Sequence, residues 1–160
     1  MARKNPRQPR RPDVPHADHL ARHCNPQRVI RHPVTRQVQG VWPEAFELRV
    51  TKNEDYLSVH WMECFSTDVG LQFRQVVKAL RKKRDVVPNS ALARLNVGLI
   101  VRASSLRGHS LRIRDRSSTS DPGYSGIYGM PRDNSDAELL ALFATECCIQ
   151  VRAVSDIEAT

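Results

Sequence analysis

Short stretches in which apolar residues alternate with polar ones recur along this chain, and segments of helical period interrupt them. That restricts the fold to a sheet packed with helices. In Phe46-Glu47-Leu48-Arg49-Val50 every second residue is apolar, and the same spacing returns at Leu57, Val59 and Trp61. Side chains of a strand point alternately to its two faces, so both stretches predict half-buried strands. The turn-forming Asn53-Glu54-Asp55 between them predicts a hairpin or two neighbouring strands. Pro88-Asn89-Ser90 opens a short helical or turn segment, and Leu95 to Ala103 then alternates and predicts a central strand. Leu111-Arg112-Ile113-Arg114 predicts a further strand with Arg112 and Arg114 on one face, and Cys148 to Val154 predicts the last.

Helical period is clearest at Val69, Phe73, Val76, Val77 and Leu80, which follow the i, i+4, i+7, i+8, i+11 spacing behind the capping residues Ser66-Thr67-Asp68. Ser135-Asp136-Ala137-Glu138 reads as a capping box opening a second helix through Leu139, Leu140, Leu142 and Phe143. A short helix from an Asp18 cap to about Cys24 fits before Asn25-Pro26. No internal repeat is visible. A chain of 160 residues, 40% hydrophobic, can bury a core without disulfides or metal. The expected architecture is a single α+β domain over residues 13–160, with a mixed or antiparallel sheet and two main amphipathic helices.

Charge is unevenly placed. Arg3, Lys4, Arg7, Arg10 and Arg11 stand without an acid in residues 1–12, among Pro6, Pro9 and Pro12, and supply +5 of the net +8. With almost nothing to bury, this segment predicts a disordered basic arm. Arg74, Lys78, Arg81, Lys82, Lys83 and Arg84 form a second basic patch on and beyond the predicted helix. Cations in such runs attract polyanions, and the last ones also suit a helix C-terminus. A serine-rich connection, Ser117 to Ser120, leads into Asp121-Pro122-Gly123. No stretch approaches the ~20 apolar residues of a membrane span and no signal-peptide pattern opens the chain, so the expectation is a cytoplasmic protein that does not enter a membrane. Cys24, Cys64, Cys147 and Cys148 show no C-x-x-C spacing and read as reduced thiols.

Several residues could carry chemistry. His16, His19 and His23 would share a face of a helix beside Cys24, a conceivable metal set, with polar surface residues as the plainer reading. Ser58 and His60 project from the same side of their strand, and Glu63 would point away from them. No Gly-x-Ser-x-Gly accompanies them, so a serine nucleophile lacks support. Gly123-Tyr124-Ser125-Gly126-Ile127-Tyr128-Gly129 reads as a structured loop over the core in which Tyr124 and Tyr128 could touch a ligand. Aromatic residues are few and none interleaves along the chain with the basic patches, which argues against a base-stacking platform.

The strings Trp42-Pro43-Glu44-Ala45-Phe46, Tyr56-Leu57-Ser58-Val59-His60-Trp61-Met62-Glu63 and Gly126-Ile127-Tyr128-Gly129 resemble a family of bacterial proteins without a settled activity, over residues 18 to 131. That resemblance implies a domain boundary and a bacterial origin, and no mechanism. A remoter similarity is to ADP-ribosyltransferase-like folds, in which His19 or Arg22 and then Ser58, on a strand before the helix from Val69, would take the first two conserved places and imply NAD chemistry. Taken together, these features favour a small basic nucleic-acid-associated accessory or subunit protein. It would touch the phosphate backbone through Arg3, Lys4, Arg7, Arg10, Arg11, the cations from Arg74 to Arg84, Arg112 and Arg114, with low sequence specificity. The alternatives are an enzyme of nucleotide or nucleic-acid chemistry using His19 or His23 with Ser58, His60 and Tyr124, and a subunit binding an acidic protein in a bacterial complex. No cofactor is implied.

Overall fold

Six strands form one antiparallel sheet, and its two faces are covered unequally. A computed structural model of the protein describes residues 13–160, so the basic arm expected over residues 1–12 lies outside the described residues. In chain order the elements are β1 (His19–Cys24), β2 (Val29–Arg31), β3 (Val38–Val41), β4 (Tyr56–Trp61), α1 (Val69–Arg81), β5 (Ala91–Asn96), α2 (Val97–Leu106), β6 (Arg112–Asp115), β7 (Tyr124–Tyr128), α3 (Ala137–Leu142), β8 (Cys148–Ala153) and α4 (Val154–Glu158). The sheet runs β6-β7-β4-β1-β5-β8, and β2 and β3 pair separately as a hairpin. This is the expected α+β architecture, with an antiparallel sheet.

One face of the sheet is covered along its length. Ile113, Ile127, Leu57, Leu20 and Leu95 face Val97, Ile100, Leu139 and Leu140 of α2 and α3, with Phe46 and Phe143 packed edge to face at 5.8 Å. On the other face, Ala21 and Leu92 lie under Phe73, Val76, Val77 and Leu80 of α1, joined by Ile157 of α4. Each buried Val, Leu, Ile or Phe side chain among these contributes about 1.5–3 kcal/mol. The apolar stripe of α1 is the one its sequence predicts, and Asp68 caps it by accepting Leu71 N–H at 2.8 Å. The cover of this second face sits on β1 and β5. On the same side, the half formed by β4, β7 and β6 carries no helix among the described residues.

Four expectations are corrected. Residues 19–24 are a strand rather than a helix, paired with β4 on one side and β5 on the other. Two neighbours satisfy its backbone, and Asp18 accepts the Trp61 indole N–H at 2.9 Å instead of capping a helix. The strand expected at Phe46–Val50 is absent. Pro43–Phe46 forms a 3-10 turn that buries Ala45 and Phe46, while Asn134 holds both backbone groups of Leu48 (2.9 and 3.1 Å). The strand expected at Leu95–Ala103 starts earlier and ends at Asn96, whose side chain accepts Leu99 N–H at 3.0 Å and starts α2. In α2, Val97, Ile100, Ala103 and Ser104 are buried at helical spacing and Leu99 is exposed. With apolar residues at six of the nine positions from Leu95 to Ala103, the run satisfies both periods. Finally, Tyr124–Tyr128 is a strand inside the sheet, not a loop over it.

Smaller departures concern ends. The cap of α3 is Asp136 rather than Ser135, its carboxylate accepting Leu139 N–H at 3.2 Å, and the helix widens into a π turn, Phe143–Cys147, before β8. All four cysteines are free thiols, with Cys24 and Cys147 buried. Burial holds both of those thiols at a pKa of about 12.

Candidate functional site

The uncovered half-sheet is built by the period-two rule on three strands. On β4 it presents Tyr56, Ser58 and His60; on β7 Tyr124, Gly126 and Tyr128; on β6 Arg112 and Arg114. The register aligns Tyr56 with Tyr128 and Arg112, Ser58 with Gly126 and Arg114, and His60 with Tyr124. The tyrosines are half-buried, and Arg112, Arg114 and Arg116 are exposed.

Gly126 is the low point of the surface. A Cβ there would stand 2.6 Å from Tyr56 Cδ2 and 3.0 Å from Tyr128 Cε2. The missing side chain lets both rings lie down over the middle strand, 4.9 Å apart. Their hydroxyls are tied together: Tyr56 and Tyr124 are 2.9 Å apart, and Ser58 Oγ is 3.1 Å from the Tyr124 hydroxyl. Burial, reinforced by the bond to Tyr124, pushes the Tyr56 phenol up to about 12, so it stays neutral at ordinary pH. Guanidinium groups lie over this layer. Arg116 sits 4.8 Å from the centre of the Tyr56 ring and donates to the Tyr128 hydroxyl, and Arg114 is 5.5 Å from the Tyr128 ring. Lys83, just beyond α1, reaches to 5.6 Å from the Tyr124 ring.

Next to the rings stands a buried polar cluster. His60 Nε2 donates to Asp121 Oδ1 at 2.9 Å, and Lys83 Nζ reaches Asp121 Oδ2 at 3.1 Å. Desolvation lowers the His60 pKa, outweighing the opposing pull of Asp121, so the imidazole is held neutral. The dyad ties the end of β4 to Asp121, where the serine-rich stretch ends. It does not activate Ser58, whose hydroxyl pairs with Tyr124.

Of the five side chains singled out for chemistry, Ser58, His60 and Tyr124 come together here, and His19 and His23 go elsewhere. His19 donates through Nδ1 to Glu63 Oε1 (2.6 Å) and through its backbone N–H to Oε2 (2.8 Å). His23 Nε2 faces the Ser90 hydroxyl at 3.1 Å. Burial, with help from the Arg84 and Arg22 charges, brings the His23 pKa down to about 4. Because residues 19–24 are extended, His16, His19, His23 and Cys24 share no helix face. Among the described residues no group of three or more His, Cys, Asp or Glu side chains is arranged to hold a metal ion.

The basic stretch from Arg74 to Arg84 divides in space. Arg74, Lys78 and Arg81 are exposed on α1, with Arg81 paired to Glu158 of α4, while Lys82, Lys83 and Arg84 follow the helix and Lys83 turns toward the tyrosines. Arg112 also pairs with Asp13 at 3.1 Å. The separation of rings from cations noted along the chain does not hold in space, where Tyr56, Tyr124 and Tyr128 lie beside Arg114, Arg116 and Lys83 across β4, β7 and β6. Tyr56, Arg116, Asp121 and Gly126 were missed as members of this cluster. For Tyr56 a signal existed, since it shares the alternation of Ser58 and His60.

Comparison of the chain with protein-family models, with curated proteins and with solved structures returns no match, so neither resemblance drawn from the sequence supplies a family. Among the described residues, no helix is long and apolar enough to cross a membrane.

Proposed function

We propose that this protein binds single-stranded nucleic acid on the uncovered half of its sheet. The observation that carries the reading is the layer of Tyr56, Tyr124 and Tyr128 interleaved with Arg112, Arg114, Arg116 and Lys83 on one strand-built surface. Unpaired bases stack on aromatic rings and guanidinium planes whatever their identity, and cations track the phosphates between them. Three strands at about 4.8 Å spacing give a surface wide enough for a few nucleotides.

The position of Asp13 and Val14 supports the same reading. Val14 N–H donates to the Ile113 carbonyl at 3.0 Å and Asp13 bridges Arg114, so Asp13, which directly follows the five cations of residues 1–12 in the sequence, is held at the β6 edge of this surface. The protein's role is then that of a low-specificity accessory factor, with backbone charge setting affinity and rings setting the preference for unpaired strands.

The test is fluorescence anisotropy with labelled single-stranded and duplex RNA and DNA across a salt series. Single strands should bind more tightly. Tyr124→Ala should weaken that binding by roughly 5- to 150-fold, corresponding to one lost stacking contact of about 1–3 kcal/mol. Replacing Arg114 and Arg116 together by Ala should flatten the logarithmic salt slope by about 1.4, at ~0.7 per phosphate contact. Binding that disappears with residues 1–12 yet ignores both platform changes would refute this assignment, as would no binding at low salt.

A further inference from the structure

A half-buried guanidinium without a counter-ion is costly, and this fold contains one. Arg22 projects from the central strand β1 toward the face opposite the tyrosines. Its Nε–H donates to the Ala45 carbonyl at 3.0 Å and its Nη1–H to the Ser58 carbonyl at 2.9 Å. Both acceptors are neutral, and no carboxylate forms an ion pair with Arg22 among the described residues. Nη2 has no acceptor there either. Glu54, whose charge acts on it from a distance, is taken by Arg49, which donates to the Glu54 carboxylate from its backbone N–H (2.8 Å) and from Nε (2.6 Å). Desolvation accordingly pulls the Arg22 pKa below its ordinary value.

Arg22 lines a cavity of about 390 Å³, shared with Arg28, Arg49, Glu44, Glu47 and Asn134. That volume lies within the usual size of small-ligand sites, roughly 300–1,000 Å³. Two carbonyls hold the planar fork in one orientation, and such a fork is suited to receiving a carboxylate or phosphate. The Arg28 side chain makes no hydrogen bond or ion pair among the described residues and stands free to share the same group. Glu44 and Glu47 form no ion pair there, and they favour a ligand that also carries hydroxyl or ammonium donors. We infer that this cavity is a binding site for a small oxyanionic molecule, a carboxylate or a phosphate monoester, whose anionic group sits between Arg22 and Arg28. The site is separate from the tyrosine surface and does not depend on its function.

Inorganic phosphate and acetate, each titrated into the full chain by isothermal titration calorimetry, test this directly. One saturable site is expected, and the tighter probe identifies the source of the oxyanion. Arg28→Ala should weaken the tighter probe by roughly tenfold or more, as for loss of one charge-assisted hydrogen bond. Arg22→Lys, which keeps the charge and loses the fork, should do the same. If Arg22→Lys does not fold, Arg28→Ala decides, because the Arg28 side chain holds nothing in place. Joint replacement of Arg114 and Arg116 by Ala should leave this binding unchanged. The inference is overturned if neither probe saturates, if Arg28→Ala binds like the parent, or if the change at Arg114 and Arg116 abolishes the signal.

Discussion

Replacing Gly126 by Ala should destabilise the protein, although a glycine in mid-strand usually weakens a sheet by about 0.5–1 kcal/mol relative to alanine. The backbone at Gly126 is not in the left-handed region, so no conformational strain opposes the substitution. Its added methyl would meet Tyr56 Cδ2 at 2.6 Å, and Tyr56 Cγ and Tyr128 Cε2 at 3.0 Å. Carbon atoms rest at about 3.5–4.0 Å, so the Tyr56 ring must retreat by roughly 1 Å. Arg116 lies over that ring at 4.8 Å, and the Tyr56 hydroxyl is held 2.9 Å from Tyr124, so the retreat also strains a cation contact and a hydrogen bond. Overpacking of about 1–3 kcal/mol plus part of a hydrogen bond of about 1 kcal/mol, less the propensity gain, leaves a net loss of about 2 kcal/mol. For a chain of this length that lowers Tm by roughly 4–8 °C. Gly40 in β3 is the control. A Cβ there meets only Ile30 Cδ1, at 4.0 Å, so Gly40→Ala should be neutral or stabilise by up to about 1 kcal/mol. Urea unfolding and thermal melts of both variants give the answer. Equal shifts of the two, or a stabilised Gly126→Ala, would refute the claim that the rings rest on this glycine.

The neutral histidines make stability depend on pH. With His23 at about 4 when folded and about 6.5 when unfolded, the unfolded chain binds the extra proton between those values. Stability is therefore full above pH 6.5 and lost progressively down to about 4; allowing for partial solvation of the ring, the His23 share is about 1.5 kcal/mol. Urea midpoints over that range should fall less steeply in His23→Gln, and parallel curves would contradict this origin. Asp121→Ala leaves the buried Nε2–H of His60 without its acceptor and should cost about 1–3 kcal/mol, while Asp121→Asn, which keeps an acceptor oxygen, should cost less. Unfolding midpoints of the pair measure this, and equal losses would show that the His60 bond contributes nothing. A thiol reagent applied to the native protein should modify exposed Cys64 quickly, while Cys24, Cys147 and Cys148, with pKa values raised to about 12, 12 and 11 by burial, react only on unfolding. Fast labelling of more than one thiol would contradict the packing.

Where one face of an element meets solvent and the other meets core, the pattern of residues alone was enough. The stripe of Val69, Phe73, Val76, Val77 and Leu80 names α1, and the alternation of Leu57 and Val59 with Ser58 and His60 names β4 and places two site residues on its outer side. Arg112 and Arg114 are likewise legible as one face of β6. The method loses its hold where burial is even on all sides or where polarity masks it. The apolar run from Leu95 fits both periods, so the switch from β5 to α2 at Asn96 depends on a capping bond to Leu99 and on packing beneath the helix. The central strand β1 reads as polar text because Arg22 and His23 find partners from distant segments, Ala45, Ser58 and Ser90.

Composition and local spacing determined that this chain makes an α+β fold with a basic surface and reduced thiols. Only the tertiary structure decided that β7 enters the sheet between β6 and β4, which brings Tyr56, Tyr124 and Tyr128 together with Arg114 and Arg116 from separate stretches of the sequence. The physical reason is that strand pairing is a long-range choice. The backbone hydrogen bonds that set it are the same for every residue, and the side chains they bring together are neighbours in space alone.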